Sequence, residues 1–283
     1  WGLGTVQPHP LVGCVLVREG KIIAEGWHGN IGGFHAEQAA IADAEERGIA
    51  TIGSTAYVTL EPCNHHGRTP PCTEALLWAG VERVIVGALD PNPTVRGGGL
   101  SALRDVGVSV KNGILEKECK HQMREFIHWC EHRKPFVTLK AAIDARGRVD
   151  CDREEPSMRF TSPSSIEKSH LLRSENMGIL VGVDTVIRDD PVLTARNVGA
   201  QIQPTRIVID PLGRMPKDCK LLNDGATKTV VIQSRNSEMN DLDHVERYVI
   251  PSVNDDIDVN RILQLLGDLG IQSIIVELSL IHI

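Results

Sequence analysis

Short apolar runs alternate with longer amphipathic segments along most of this 283-residue chain, and this alternation limits the possible folds more than any other feature. Runs of four to eight apolar residues bounded by Gly or Pro predict strands, and Ala- or Glu-rich segments that end before Gly predict helices. The first half reads, in order, as a hairpin over 12–27, helix 36–47, strand 55–60, helix 73–78, strand 81–87, helix 99–106 and strand 108–110. Such alternation is typical of α/β folds, with parallel strands and helices on the faces of the sheet.

A second series of the same kind begins after Pro135. A polar helix is predicted over 116–132, and Pro135 should stop it because the residue before a proline is pushed out of helical geometry. We therefore predict two domains, over 1–133 and 134–283. The elements predicted in the second domain are strand 136–142, a helix capped by Ser162 or Ser164, strands 178–183, 206–210, 229–233, 248–250 and 273–277, and helix 259–269.

Composition narrows the classes of function. Apolar residues make up 41% of the chain, enough for buried cores, whereas aromatics make up only 4% and the net charge is −7. A stacking platform or a basic stripe for nucleic acid is therefore not expected. No apolar stretch is long enough for a membrane span, and the N-terminus shows no secretory signal. Seven scattered cysteines favour reduced thiols, and we expect a cytoplasmic protein, or a plastid one if a transit peptide precedes this sequence.

One group of residues predicts a metal site. His35 is followed by Glu37, Pro62 precedes Cys63, and Cys72 comes later in the chain. One imidazole and two thiolates supply three of the four tetrahedral ligands of zinc and leave a position for water. Glu37 is close enough to carry protons between that water and a substrate. A His-x-Glu tripeptide followed by Pro-Cys is typical of zinc deaminases acting on nucleobases.

The cysteine spacing leaves other interpretations open. Eight residues separate Cys63 from Cys72, whereas the deaminase pattern has two. A structural zinc site normally has four protein ligands, and His65 or His66 could supply the fourth. A non-catalytic zinc-binding module is therefore an alternative. So is a deaminase for a free nucleoside or for adenosine in RNA, although the second α/β half and the lack of basic stripes count against it.

The segment from Thr59 to Thr73, which reads TLEPCNHHGRTPPCT, resembles the zinc loop of the bifunctional riboflavin-biosynthesis deaminase/reductases, including its long cysteine spacing. The segments VGCV at 12–15, GWH at 26–28 and DPNP at 90–93 follow in that family's order. The resemblance implies a cytidine-deaminase-like three-layer domain followed by a dihydrofolate-reductase-like α/β domain. It also implies Zn²⁺ and NADPH as cofactors and a phosphoribosyl-pyrimidine as substrate. Neither a nucleic acid nor a membrane is expected as a partner, and a homo-oligomer is left open.

In the first domain the resemblance assigns roles by position. It makes His35, Cys63 and Cys72 the zinc ligands and Glu37 the catalytic residue. The residues that it places around the pyrimidine and its phosphate are His28, His65, Arg68, Asp90 and Asn92. One position departs from the family, which usually has Pro-Asn-Pro where this chain has Pro8-His9-Pro10.

In the second domain, residues 160–163, 172–173, 181–182, 185–186 and 189–196 resemble consecutive family segments. The cofactor contacts implied are Thr185 and Asp189, beside a strand that leads into a helix start, where a phosphate could bind. The substrate contacts implied are Ser157, Arg173, Leu193, Arg196 and Glu277.

Two departures concern the reductase. Asp144 and Arg146 stand where the family usually has Ser and Asp, and Leu278 stands where it has the first glycine of a phosphate-binding turn. The chain looks truncated or altered at its ends, and we expect it, as given, to deaminate but to reduce poorly. Two alternatives within the enzyme class therefore stand side by side: a two-step enzyme, and an active deaminase with a non-functional reductase domain.

Overall fold

The computed structural model describes residues 2–66, 70–93, 95–143, 147, 162–235, 242–251 and 257–277. The chain forms two compact units, Trp1–His132 and Arg133–Ile283. This division lies one residue before the boundary predicted from Pro135. None of the helices in the described ranges is long and apolar enough to cross a membrane.

Unit 1 is built on a five-stranded mixed sheet with the strand order β2-β1-β3-β4-β5. The first three strands pair antiparallel, whereas β3, β4 and β5 are parallel. The elements of this unit are β1 (Gly13–Arg18), β2 (Lys21–Trp27), α1 (Ala36–Glu46), β3 (Thr55–Leu60), α2 (Cys72–Trp78), β4 (Arg83–Ala88), α3 (Gly98–Asp105), β5 (Ser109–Asn112), α4 (Glu116–Gln122) and α5 (Arg124–His132).

The predicted hairpin is the β1–β2 pair. Its turn residues, Glu19 and Gly20, both have positive φ (53° and 74°). Two consecutive positive φ values define the two-residue turn whose twist matches that of antiparallel strands. The hairpin forms one edge of the sheet. Because β3 and β4 are parallel, their carboxyl ends lie at the same end of the sheet.

Helix α1 packs unusually close to the sheet. Its buried stripe consists of Ala36, Ala40 and Ala44, which recur every four residues and so share one face. Opposite them is Gly26, where an added Cβ would lie 2.2 Å from the backbone nitrogen of Ala40. Small side chains on both surfaces therefore fix the position of α1, and with it the residues at its N-terminal end.

The single helix predicted over 116–132 is wrong, because two helices, α4 and α5, occupy this segment. At Met123, between them, φ is −107° and ψ is 18°, outside the helical region. The Met123 side chain is buried with Leu60, Ala88 and Cys119. Burial of this side chain against the sheet outweighs continuation of the helix, a contact that the polar sequence pattern does not reveal.

Unit 2 is built on a six-stranded parallel sheet with the order β10-β9-β8-β7-β11-β6. Its elements are β6 (Phe136–Lys140), α6 (Pro163–Ser174), β7 (Gly178–Gly182), α7 (Val183–Asp189), β8 (Thr205–Ile209), α8 (Lys220–Asn223), β9 (Thr229–Gln233), β10 (Val245–Val249), α9 (Val259–Asp268) and β11 (Ser273–Glu277). The short helix α8 is absent from the sequence prediction, as four residues carry too little periodicity to be recognised.

Both faces of this sheet are covered. Ile179 and Val181 belong to one apolar cluster with residues of α7 and α8, whereas Leu180 belongs to a second cluster with α9. Alternate residues of a strand point to opposite faces, so the two clusters lie on opposite sides of the sheet. Because the strands are parallel, the carboxyl ends of β6, β7 and β11 lie at the same end of the sheet, which is where α/β proteins bind their ligands.

Candidate active sites

Three elements bring the predicted zinc ligands together. His35 is the residue immediately before α1, Cys63 follows β3, and Cys72 is the first residue of α2. His35 Nδ1 lies 3.6 Å from Cys63 Sγ and 3.3 Å from Cys72 Sγ. Ligands at 2.0–2.3 Å in a tetrahedron stand about 3.5 Å apart. The trio therefore fits a zinc ion in spacing and in donor chemistry.

A fourth protein ligand from the neighbouring histidines is not part of this group. Among the described residues, only His35, Cys63 and Cys72 form a set of three or more ligand atoms within 4.8 Å of one another. His66 instead lies 3.4 Å from Glu74, and His65 borders the adjacent cavity. Three protein ligands with an open position are typical of catalytic zinc rather than structural zinc.

The pKa shifts of Cys63, Cys72 and His35 favour binding of a cation between them. Hydrogen bonding from Cys72, and then from His35, lowers the pKa of Cys63 to about 4. The hydrogen bond to Cys63, together with burial, raises the pKa of Cys72. The hydrogen bond to Cys63 also raises the pKa of His35. A bound metal would take the place of the protons that these groups share.

Glu37 lies at the start of α1, two residues from His35, and is 3% exposed. Burial raises the pKa of its carboxyl, although hydrogen bonds from its own backbone N–H and from Cys72 oppose that rise. A raised pKa makes the carboxylate a stronger base, which suits it to taking up a proton from a neighbouring group. Glu37 stays the predicted proton carrier.

A cavity of about 240 Å³ opens beside the trio. Its walls include His28, Glu37, His65 and Asp90 from the predicted set, together with all three candidate ligands. Asn92 is tied to the same wall, since its backbone N–H donates to Asp90 Oδ1 at 2.8 Å. Arg68 lies outside the described residues. Phe126 of α5 also borders the cavity and was missed, because an aromatic residue on a predicted helix carries no signal of a binding role.

His9, the departure from the family pattern, also lines this cavity. Its Nδ1 lies 3.0 Å from His28 Nε2, and His28 Nδ1 lies 2.9 Å from the carbonyl oxygen of Phe34. That carbonyl can only accept, so Nδ1 of His28 donates to it, and in the neutral ring Nε2 is the acceptor. His9 must then donate through Nδ1, which makes Nε2 of a neutral His9 an acceptor. Burial, followed by the charges of His28 and His35, lowers the pKa of His9 and favours that neutral form.

A second group of polar residues gathers in unit 2. Arg173 of α6 donates from Nε to Glu277 Oε1 at 2.5 Å and from Nη2 to Glu277 Oε2 at 2.7 Å. Lys140 Nζ, at the end of β6, lies 3.8 Å from Glu277 Oε2. Burial opposes ionisation of Glu277, but the hydrogen bonds and charge of Arg173, with the charge of Lys140, lower its pKa overall. The structure thus brings two predicted residues together and adds Lys140, which sequence reasoning missed.

The segment after α7 is held against this group. Arg173 Nη1 donates to the carbonyl oxygen of Thr194 at 3.2 Å, and Arg196 Nη1 donates to Thr194 Oγ1 at 2.7 Å. His170, another residue that sequence reasoning missed, contacts the same segment, with Nδ1 3.1 Å from the carbonyl oxygen of Thr194 and 3.2 Å from the backbone nitrogen of Arg196.

Leu193 is buried with a φ of +47°. A left-handed conformation costs a non-glycine residue about 1–2 kcal/mol, and such strain concentrates at functional sites. The surrounding structure therefore holds the backbone at Leu193 in one conformation.

The remaining predicted residues of unit 2 are less closely joined. Thr185 and Asp189 lie on α7, which begins directly after β7; Thr185 is half-buried and Asp189 is exposed. Gly182 precedes the helix, and an added Cβ there would meet nothing within 4 Å. Open space at a helix start can receive a phosphate group. Ser157, Asp144, Arg146 and Leu278 lie outside the described residues.

Comparison with known proteins assigns both units. Residues 4–88 match the family model of the cytidine and deoxycytidylate deaminase zinc-binding region, and residues 135–281 match that of the RibD C-terminal domain. The riboflavin biosynthesis protein RibD of Actinobacillus pleuropneumoniae is 40% identical over 281 residues, covering 98% of this chain and 73% of that protein.

Solved structures agree with these matches. A deaminase/reductase from Thermotoga maritima, named for diaminohydroxyphosphoribosylaminopyrimidine and 5-amino-6-(5-phosphoribosylamino)uracil, is 37% identical with a TM-score of 0.88. RibD of Acinetobacter baumannii is 35% identical with a TM-score of 0.87. Each alignment covers 98% of this chain and 76% of the other.

These matches cover both units, and they favour the two-activity enzyme over the non-catalytic zinc module. They also favour it over the deaminase-only enzyme, the alternative to which the expectation of poor reduction belongs. The fold expectation, a deaminase-like domain followed by a reductase domain, is confirmed. The zinc-binding deaminase region supports the zinc expectation. The chain belongs to the RibD family of riboflavin biosynthesis proteins, enzymes with a deaminase domain and a reductase domain.

Proposed function

We propose that unit 1 hydrolytically deaminates 2,5-diamino-6-(5-phosphoribosylamino)pyrimidin-4-one and that unit 2 reduces the ribosyl chain of the product to ribityl with NADPH. The observation that carries the first step is the grouping of His35, Cys63 and Cys72 around an open position, with the buried Glu37 beside it. Zinc at this position would polarise a water molecule and lower its pKa.

Glu37 performs the proton transfers of the first step. It takes a proton from the attacking water and delivers it to the ring nitrogen, and then carries a proton to the departing amine. A carbon–oxygen bond forms at the ring carbon, the carbon–nitrogen bond breaks, and ammonia leaves. Burial raises the pKa of Glu37, which favours its uptake of a proton from the attacking water.

His28, His65, Asp90 and Asn92 hold the pyrimidine in the cavity, and Arg68 holds the phosphate. Three of these five residues, His28, His65 and Asp90, line the cavity directly, and the backbone N–H of Asn92 donates to the carboxylate of Asp90. Imidazole, carboxylate and amide groups can each read an amino or carbonyl group on a ring edge. An arginine can bind a phosphate through two parallel hydrogen bonds.

In unit 2, Arg173, Leu193, Arg196, Glu277 and Ser157 hold the ribosyl phosphate, and Thr185 and Asp189 contact the cofactor. NADPH would supply a hydride to C1′ of the sugar, while a proton goes to the ring oxygen as the C1′–O bond breaks. Arg173 and Arg196 carry the positive charge that a phosphate needs in a protein of net charge −7. The bidentate Arg173–Glu277 pair fixes the orientation of the guanidinium.

A coupled assay tests both steps. The phosphoribosylated diaminopyrimidine is supplied with and without NADPH, and both products are followed by chromatography. Without NADPH the deaminated ribosyl compound should accumulate, and with NADPH the ribityl compound should replace it. Accumulation of the ribosyl compound despite NADPH would leave unit 2 without its proposed activity, and failure of both steps would overturn the proposal for the chain.

A further inference from the structure

The side chain of Glu61 joins the zinc loop to two segments that lie far away in sequence. Glu61 stands directly after β3, two residues before Cys63, and is 5% exposed. Its Oε2 accepts from the backbone N–H of Asp90 at 3.2 Å and of Gly97 at 2.9 Å. Its Oε1 accepts from the backbone N–H of Gly99 at 3.1 Å and of Leu100 at 3.4 Å.

These four donors use the whole accepting capacity of the carboxylate. An ionised carboxylate offers about four lone-pair sites, and Glu61 directs all of them at backbone. Glu61 also borders the deaminase cavity, but it has no lone pair left for a substrate. Its action on the reaction must therefore pass through the segments that it holds.

Three of the donors belong to the start of α3. The first N–H groups of a helix have no partner within the helix, and Gly97, the residue at the cap position, has no side chain to satisfy them. The Glu61 carboxylate takes this role from another part of the chain. Its negative charge also suits the positive end of the helix dipole.

Gly99 provides independent evidence for the same contact. An added Cβ at Gly99 would lie 2.0 Å from the carbonyl oxygen of Pro62. The first turn of α3 therefore rests directly on the backbone that leads to Cys63, and a methyl group would push the two apart. The hydrogen bonds of Glu61 and the small size of Gly99 both fix the distance between α3 and the segment that leads to Cys63.

The fourth donor connects this junction to the binding cavity. Asp90 follows β4 and lines the cavity, and its carboxylate in turn accepts from the backbone N–H of Asn92. Glu61 therefore holds one wall of the cavity at a set distance from the candidate ligand Cys63.

We propose that Glu61 is a positioning residue for deamination, which fixes the Asp90–Asn92 wall relative to the metal ligands. This inference rests on the proposed deaminase function of unit 1. Since Glu61 acts on the substrate-holding wall rather than on Glu37, its loss should weaken binding of the pyrimidine more than it slows the chemical step.

The test uses the full chain with Glu61→Gln, which keeps the size of the side chain but turns an NH₂ group toward two N–H donors. We expect KM for the phosphoribosylated diaminopyrimidine to rise about 10- to 100-fold, in the range seen for residues that orient site groups. We expect kcat within about threefold of wild type and one zinc per chain. Gly99→Ala should give the same pattern, because it separates the same two segments.

Binding without turnover gives a second readout. The dissociation constant of the same pyrimidine is measured by calorimetry in a Glu37→Gln background. Adding Glu61→Gln should raise it by the same factor as KM. The matched control is Asp210→Asn in unit 2, which alters another buried carboxylate that accepts backbone N–H groups, those of Arg214 and Met215. It should leave KM for deamination unchanged.

Each result has a definite meaning. A KM and a dissociation constant within about twofold of the reference overturn the proposal. So does loss of zinc or of the thermal transition of unit 1, which would make Glu61 a residue needed for folding. If the wild-type chain does not deaminate, the proposed function itself fails, and that outcome is visible before any variant is compared.

Discussion

At the scale of single residues, the deaminase site is a set of side chains whose protonation depends on their neighbours. Burial raises the pKa of Glu37, whereas hydrogen bonds lower the pKa of Cys63. A raised carboxyl pKa suits proton uptake, and a lowered thiol pKa suits metal binding. Conservative substitutions can separate the role of Glu37 in proton transfer from the role of the three ligands in metal binding.

Glu37→Gln should leave one zinc per chain but lower kcat for deamination by about 10² to 10⁴-fold, the contribution of a general acid–base group. The amide has the size of the carboxyl but cannot carry the proton. Zinc content by elemental analysis and initial rates check this, with the reductase step as the internal control. Activity within about threefold of wild type would show that another group moves the protons.

His9→Phe should raise KM for deamination by roughly 2- to 10-fold with kcat nearly unchanged, the size expected for one lost hydrogen bond. Phenylalanine keeps the stack on His28, whose ring centroid lies 5.1 Å from that of His9, but removes the accepting Nε2. Steady-state kinetics at pH 7.5, where His9 is neutral, provides the measurement. An unchanged KM would mean that His9 lines the cavity without binding the substrate.

At the scale of elements, one buried guanidinium joins a strand to the segments beside it. Arg206 of β8 is fully buried and donates to both carboxylate oxygens of Asp224 at 2.8 Å, to Thr229 Oγ1, and to the carbonyl oxygens of Leu221 and Thr227. One guanidinium thus ties β8 to α8 and to the start of β9. A sequence pattern cannot show this, because an arginine in a strand is usually exposed.

Arg206→Met should lower the free energy of unfolding of unit 2 by about 2–3 kcal/mol, since the carbonyl oxygen of Thr227 loses its guanidinium donor while the partly exposed Asp224 carboxylate can be hydrated. Urea unfolding followed by circular dichroism is the measurement. Lys228→Met is the matched control, because the Lys228–Glu246 pair is exposed and should contribute at most about 1 kcal/mol. Equal losses in the two variants would contradict this reading of the Arg206 network.

Glu277 should make the stability of unit 2 depend on pH. Its folded-state pKa lies below the ordinary value of 4.5, so its stabilising contribution is complete above pH 4.5 and is lost as the pH falls through the folded pKa. The difference in unfolding free energy between wild type and Glu277→Gln should therefore be constant from pH 7 to about pH 5 and shrink at lower pH. A difference that grows on acidification would reverse the sign and contradict the assignment.

At the scale of the whole molecule, each compact unit has its own sheet and its own core. The ligand trio lies wholly in the first unit, and the Arg173–Glu277 group lies wholly in the second. Loss of one site should therefore leave the chemistry of the other in place.

Removal of zinc with a chelator should reduce deamination to background and lower the thermal transition of unit 1, because metal binding adds to folding free energy. Reduction of the separately supplied ribosyl compound should stay within about twofold. Addition of Zn²⁺ should restore deamination. A parallel loss of reduction would mean that the two units depend on each other.

Much of this protein follows from its sequence alone. Strand and helix order came from local hydrophobic periodicity, which a single segment carries by itself. The zinc trio and Glu37 could be named because metal and proton chemistry requires particular side chains, and those side chains stand in a recognisable pattern. The hairpin turn at Glu19 and Gly20 was equally local.

The tertiary structure decided what depends on distant segments meeting. The break at Met123 arises from burial against β3 and β4, and the buried Arg206 from partners 15 to 23 residues away. The link from Glu61 to Asp90 and α3 spans 29 to 39 residues. No periodicity records such contacts, since each depends on a side chain and a backbone group that only folding brings within hydrogen-bonding distance.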